Sequence, residues 1–223
     1  KYQLSIDGLR ETHDFFRKSG SFDQTIQAIG TIHEAGMNCA VMTTVSGVNI
    51  QEVPDIIDLV VEHKADIFAF GRYCPTGKDR IGGDRRWHIE PKDYRRLLEQ
   101  CWEKFEKYKD SDTTFNLKDH LWTLFEYEKG RFSIPDGAKN GMIYGGCNCG
   151  NCHITILPTG DIFACRRVAS SKGGNVFCDR LKDVWTGAKM EGFREYEKFS
   201  KCKNCELLAY CRGCPAVAAG SSG

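Results

Sequence analysis

Residues 147–165 read CNCGNCHITILPTGDIFAC, and residues 202–215 read CKNCELLAYCRGCP. Nine of the chain's twelve cysteines fall between Cys147 and Cys214. The second stretch has a regular spacing, Cys202-x2-Cys205-x5-Cys211-x2-Cys214, with Pro215 directly after. A C-x2-C pair brings two thiolates to one metal centre from a single tight turn, and several pairs together saturate clusters that need four thiolates each. Disulfides are the weakest reading: they need an oxidising compartment, no secretory segment is visible, and a chain of this size can bury a core without staples. Zinc is the nearer rival, because C-x2-C pairs are its usual ligands. Against zinc, the spacings are uneven, nine cysteines leave one over from sets of four, and the histidine nearby is His153 alone. The pattern favours iron–sulfur ligation.

The rest of the composition narrows the function classes. At 223 residues the chain holds one large domain or two smaller ones. Hydrophobic residues make up 41% and charged residues 27%, as in ordinary globular proteins. A formal net charge of +1 gives no reason to expect nucleic acid or an anionic membrane as partner. The longest aliphatic run, IIDLVV at residues 56–61, is far too short to span a bilayer. Twelve cysteines without a secretory segment point to a reducing cytoplasm and a metal site.

Tyr2 to Ile6 reads as a buried strand ended by Asp7-Gly8. Ser21 to Gln24 has a capping-box pattern; Ile26, Ile29 and Ile32 follow at near-helical spacing, and Gly36 suits the helix end. Ala40 to Val45 is a second strand. Asn49 with Glu52 offers another cap, before a helix whose apolar face is Val53, Ile56, Ile57, Val60 and Val61. Ile67 to Phe70 is a third strand, ending in Gly71-Arg72-Tyr73. This βαβαβ order predicts a parallel sheet, with chemistry at the C-terminal strand ends, where Ser5, Asp7 and Arg72 stand.

Residues 74–89 read as a long loop. Pro91 opens a helix with a core stripe of Tyr94, Leu97, Leu98, Cys101, Trp102, Phe105 and Tyr108. A further helix is expected over 118–128, with Leu121, Trp122, Leu124 and Phe125 inward. Residues 133–146 form a glycine-rich linker. Beyond it, 153–157 and 161–164 pair as a hairpin around Pro158-Thr-Gly160, and 181–199 are expected to be helical. Cys39, Cys101 and Cys178 stand apart from the paired cysteines and are expected not to be ligands, behaving as small buried hydrophobes.

These residues resemble a known family. Cys147-x12-Gly160-x4-Cys165 and Cys202-x2-Cys205-x5-Cys211 resemble a SPASM domain, while Ser5-Ile-Asp-Gly8 followed by His13-Asp-x-x-Arg17 resembles the S-adenosylmethionine-binding segment of radical SAM enzymes. Two departures are plain: Cys211-x2-Cys214 is one residue short of the usual gap, and no cysteine follows Cys214. The radical SAM signature C-x3-C-x2-C does not occur in residues 1–223.

The resemblance implies an α/β fold: residues 1–90 as the second half of a partial (β/α)6 TIM-like barrel, 91–140 as a helical bridge, and 141–223 as a small cysteine-rich α+β SPASM domain. By the family's crossed pattern, Cys147, Cys152, Cys165 and Cys214 ligate a first auxiliary [4Fe-4S] cluster, with Cys149 able to replace Cys147 or Cys152. Cys202, Cys205 and Cys211 ligate a second. Ser5, Asp7 and Arg17 form the S-adenosylmethionine-binding group, Ser5 and Arg17 gripping its methionine carboxylate. The implied activity is maturation of a ribosomally made peptide by hydrogen abstraction, forming a thioether or carbon–carbon crosslink, with a peptide or protein substrate and an electron donor such as flavodoxin or ferredoxin. Sulfatase maturation is disfavoured: in that subgroup an Asp base follows an auxiliary-cluster cysteine, and here Arg166 follows Cys165. A zinc-stabilised binding module and an electron carrier are the rivals. The resemblance also leads to the expectation of a longer protein, extended at both ends, with residues 1–223 inactive by themselves.

Overall fold

The computed structural model of the chain describes residues 1–76, 84–138 and 142–222, with only the backbone at 221 and 222. The chain divides into two compact units, one of residues 1–73 and 84–122, the other of 74–83 and 123–223. Residues 91–122 fall in the first unit and those from 123 onward in the second.

The first unit is built on a parallel sheet of β1 (Tyr2–Ser5), β2 (Cys39–Val45), β3 (Ile67–Arg72) and β4 (Thr114–Asn116), in that order. Leu4, Val41, Phe68 and Phe115 stand in one row across it. The crossovers are α1 (Arg10–Phe16) with α2 (Ser21–Glu34), then α3 (Val53–Glu62), then α4 (Pro91–Lys107). The apolar periodicity explains both later helices. Val53, Ile56, Ile57 and Val60 are fully buried on one face of α3, and Tyr94, Leu97, Leu98, Cys101 and Phe105 are buried on one face of α4. Val61 lies at the edge of that face and is half-buried.

Three local expectations change. β4 is a fourth parallel strand that three residues, Thr-Phe-Asn, are too short to announce by alternation; tertiary packing makes it, with Phe115 stacked on Phe105 at 4.4 Å. The start of α2 is capped from outside: Asp14 accepts the N–H groups of Gly20 (2.6 Å) and Phe22 (2.8 Å), while Ser21 already sits inside the helix. α5 (Leu121–Glu128) begins three residues later than expected, because Asp119 accepts the Leu121 N–H at 3.0 Å; Trp122 and Phe125 are buried, but Leu124 is exposed.

The second unit holds an antiparallel sheet of β5 (Thr155–Ile156), β6 (Asp161–Phe163) and β7 (Lys172–Asn175). The hairpin at Gly160 is as expected; the third strand, Lys-Gly-Gly-Asn, has no alternating signal. Its glycines serve packing, since a Cβ on Gly173 would meet Val184 at 3.1 Å and Met190 at 3.3 Å. The continuous helix expected over 181–199 is broken into α6 (Leu181–Trp185), α7 (Ala188–Glu191) and a 3-10 turn at Tyr196–Lys198, with Gly187 and Gly192 at the breaks. Its small core is Ile162, Ala164, Val184 and Met190, flanked by Ile154 and Phe193. The chain closes with α8 (Pro215–Ser222).

Candidate metal centre

Two glycines set the position of Cys147. The backbone N–H groups of Tyr144 and Gly145 donate to the Ala209 carbonyl at 2.8 and 3.0 Å, laying residues 144–147 against 209–212. Gly146 has φ +77°, and a Cβ there would collide with the Cys211 carbonyl. The cysteine stretches at either end of this unit are thereby held side by side.

Cys149 sits in the next turn. Asn151, Cys152 and His153 all donate backbone N–H groups to the Asn148 carbonyl, at 3.1, 3.2 and 3.3 Å. This turn brings the Cys149 thiol within hydrogen-bonding reach of both Cys147 and Cys165. Cys147 is buried, Cys149 and Cys165 are half-buried, and Cys152 is exposed. The hydrogen bond from Cys149 pulls the Cys165 thiol down to about 6, with the Arg167 backbone N–H and positive charge adding to it against the cost of burial. The same contacts with Cys147 and Cys165 push the Cys149 thiol upward. A lowered thiol pKa favours the thiolate, the form that ligates metals. Among the described residues no three Cys, His, Asp or Glu side chains enclose a position for a single metal ion; these three thiols are joined through Cys149 as a chain.

Ser171, which no sequence pattern marks, fixes the backbone of Cys165. It is fully buried, and its Oγ accepts the Cys165 N–H at 3.1 Å and lies 2.7 Å from the Val168 carbonyl oxygen.

The C-terminal cysteines occupy tight turns. Cys205 N–H donates to the Cys202 carbonyl at 3.0 Å, and Cys211 N–H to the Leu207 carbonyl at 2.9 Å. Arg212 and Gly213 then both take left-handed backbone conformations, φ +52° and +59°, and the Gly213 N–H points at the Cys211 sulfur at 3.4 Å. Cys214 directly precedes α8. Arg212 is 5% exposed; its Nη1 donates to the Tyr196 hydroxyl at 2.8 Å and its Nε to the Gly145 carbonyl at 3.3 Å, while Nη2 is buried with no hydrogen-bond partner among the described residues. A buried cation with an unsatisfied donor calls for an anion. The thiol chain of Cys147, Cys149 and Cys165, an N–H aimed at sulfur and this guanidinium edge are of the chemistry that suits an anionic iron–sulfur cluster. Cys39 and Cys101 are fully buried and distant in sequence from this set, and burial raises both thiols. Cys178 differs from expectation: it is exposed, its thiol directed at the Asn175 carbonyl and Asp179.

In the first unit, the polar groups gather at the C-terminal ends of β1 and β2. Asp7, 3% exposed, accepts the Thr44 N–H at 2.8 Å on one oxygen and Arg17 Nε at 2.9 Å on the other, with Arg17 Nη2 close to the same oxygen. Ser5 ends β1, half-buried. Asn49, expected as a helix cap, is instead a buried clip: it donates to the Asp7 carbonyl at 2.7 Å and the Thr44 carbonyl at 2.9 Å, and accepts the Ser46 N–H at 2.7 Å. His13, also buried, accepts the Asp7 N–H on Nδ1 at 3.1 Å, which fixes its proton on Nε2. Arg72 is held by Asp119 at 2.9 Å and lies over the Tyr94 ring.

The family model for SPASM, an iron-sulfur cluster-binding domain, matches residues 147–215. The chain carries a SPASM domain. Over its whole length the chain is 26% identical to the AdoMet-dependent heme synthase of Methanosarcina barkeri, aligning with 64% of that protein. Over 95% of its length it is 26% identical to the mycofactocin maturase MftC of Mycolicibacterium smegmatis, covering 51% of it. In fold it is similar to Streptococcus suis SuiB in the crystal structure with precursor peptide SuiA, with a TM-score of 0.70, 24% identity, and coverage of 99% of this chain and 50% of that one. The chain thus spans about half to two-thirds of the length of these relatives. These likenesses are those of a radical SAM/SPASM protein of the peptide-maturase-like kind, and the mixed α/β fold with its parallel sheet agrees with them. The SPASM domain contains every cysteine of the thiol chain and both C-x2-C pairs. Among the described residues no helix is long and apolar enough to cross a membrane.

Proposed function

We propose that the protein is a radical SAM/SPASM enzyme that modifies a ribosomally made peptide by hydrogen abstraction, forming a thioether or carbon–carbon crosslink. The observation that carries this reading is the contact of Cys147, Cys149 and Cys165 thiols inside a matched SPASM domain. It is supported by similarity over 95% of the chain to a mycofactocin maturase and by the shared fold with SuiB, which has been crystallised with its precursor peptide. Auxiliary clusters bound by the SPASM cysteines would accept an electron, hold the substrate, or both. Arg17, steadied by Asp7, presents the charged edge that suits a methionine carboxylate, with Ser5 at the adjoining strand end.

The heme synthase relative favours a second reading, in which a tetrapyrrole rather than a peptide is the substrate. The test uses the protein as encoded, with its own flanking sequence, under a strong reductant. Formation of 5′-deoxyadenosine that rises on adding a precursor peptide encoded beside the gene supports the first reading. A rise with an iron porphyrin and none with peptide supports the second. No 5′-deoxyadenosine under any condition sinks both.

A further inference from the structure

The geometry points to Cys149 as a ligand of the SPASM-domain cluster that Cys147 and Cys165 serve, with Cys152 outside that set. By the resemblance, Cys147, Cys152 and Cys165 serve one cluster, with Cys149 able to replace Cys147 or Cys152. The structure separates Cys149 from Cys152. The Cys149 thiol is within hydrogen-bonding reach of both Cys147 and Cys165, two residues that lie eighteen positions apart (147 to 165). Cys152 comes one turn later and is exposed.

The backbone explains the difference. Residues 151–153 all turn back onto the Asn148 carbonyl, and Cys149 forms an isolated bridge with His153; in this turn Cys149 is half-buried and Cys152 exposed. Gly150 follows with φ +67°, and a Cβ there would meet the Phe193 side chain at 2.6 Å. Arg194 Nε donates to the Gly150 carbonyl at 2.7 Å, tying the turn down. Phe193 packs on the small apolar core of this unit, so the turn cannot rotate to exchange Cys152 for Cys149 without losing that packing. A ligand position held by packing and outer hydrogen bonds before the cluster arrives is how metal sites are preorganised.

This inference rests on the reading of 147–215 as cluster-binding, and the experiment keeps the two apart. The encoded protein and its C147A, C149A, C149S and C152A variants are prepared anaerobically. Iron and labile sulfide are counted, electron paramagnetic resonance spectra are recorded after reduction, and circular dichroism checks the fold. An iron-free parent protein would defeat the cluster reading itself. With a loaded parent, C149A and C147A should each lose about one cluster's iron, or keep it with a changed spectrum, and C152A should match the parent. Because serine offers oxygen at nearly the same place, C149S should stay folded and show shifted signals even where C149A unfolds. C149A and C149S indistinguishable from the parent, or loss in C152A with none in C149A, would overturn the inference.

Discussion

Arg17 closes on the buried carboxylate of Asp7, its Nε 2.9 Å from Oδ2, while the other oxygen of Asp7 accepts the Thr44 N–H across the strand ends. Asp7 is thus a link between the sheet and the guanidinium. The Arg17 side chain remains 46% exposed, which leaves it able to reach a ligand. D7N keeps the shape but removes the charge that orients Arg17. It should weaken S-adenosylmethionine binding about tenfold, on the order of 1.4 kcal/mol, with a smaller change in Tm than D7A. Calorimetric titration of the encoded protein checks this; unchanged affinity in D7N would show that Arg17 needs no such steadying.

His13 predicts a pH dependence. Burial, the largest cause, holds its pKa below the ordinary imidazole value, and Nδ1 is already an acceptor for the Asp7 N–H. A base whose folded pKa is depressed binds fewer protons folded than unfolded. Stability is therefore full above the unfolded pKa of about 6.5 and is lost as pH falls from there toward the folded value, with a slope of at most about 1.4 kcal/mol per pH unit. Thermal unfolding between pH 7.5 and 5 should fall more steeply for the parent than for H13Q; parallel curves would contradict this.

Gly146 makes a prediction that links backbone to metal. G146A needs a left-handed alanine and a Cβ against the Cys211 carbonyl. The strain, about 1–3 kcal/mol, is relieved by parting residues 144–147 from 209–212. Iron content should drop with it, and G137A, at an equally left-handed glycine with open space around it, should leave the iron in place.

Arg212 should matter for the same centre. R212M keeps much of the packing but removes the buried guanidinium whose Nη2 has no hydrogen-bond partner among the described residues. If that edge serves an anionic cluster, R212M should lower iron occupancy or shift the cluster's reduction potential downward, read by redox titration. An unchanged potential and full occupancy would assign Arg212 to Tyr196 and Gly145 alone.

Replacing Cys39, Cys101 and Cys178 together with alanine should leave the iron content unchanged. The first two are sealed in the first unit's core and the third faces solvent beside Asp179. Loss of about one cluster's iron would refute that assignment.

Much of this architecture is written in periodicity. Val53 through Val60 and Tyr94 through Phe105 show their buried faces directly, and β2 and β3 follow from apolar runs, whereas β1, expected to be buried, has Tyr2 and Gln3 exposed at the end of the sheet order. What escaped is what periodicity cannot carry. β4 and β7 are too short or too glycine-rich to alternate, and depend on Phe105 and on Val184 and Met190 to become strands. Asp14, Asn49 and Ser171 act through contacts several to forty-two residues away, so their roles as cap, clip and brace have no local signature. The cysteine spacing points to a metal centre but leaves open which of Cys147, Cys149 and Cys152 take part, and the Asn148 turn that places Cys149 near Cys147 and Cys165 has no local signature.

The central claim is that the SPASM domain of this chain binds iron–sulfur clusters. Metal and labile-sulfide analysis of the anaerobically purified encoded protein tests it most directly. The account predicts a brown protein with iron and sulfide in near-equal amounts, lost in large part when Cys147, Cys165 and Cys211 are replaced. A colourless protein carrying stoichiometric zinc and no labile sulfide would contradict it.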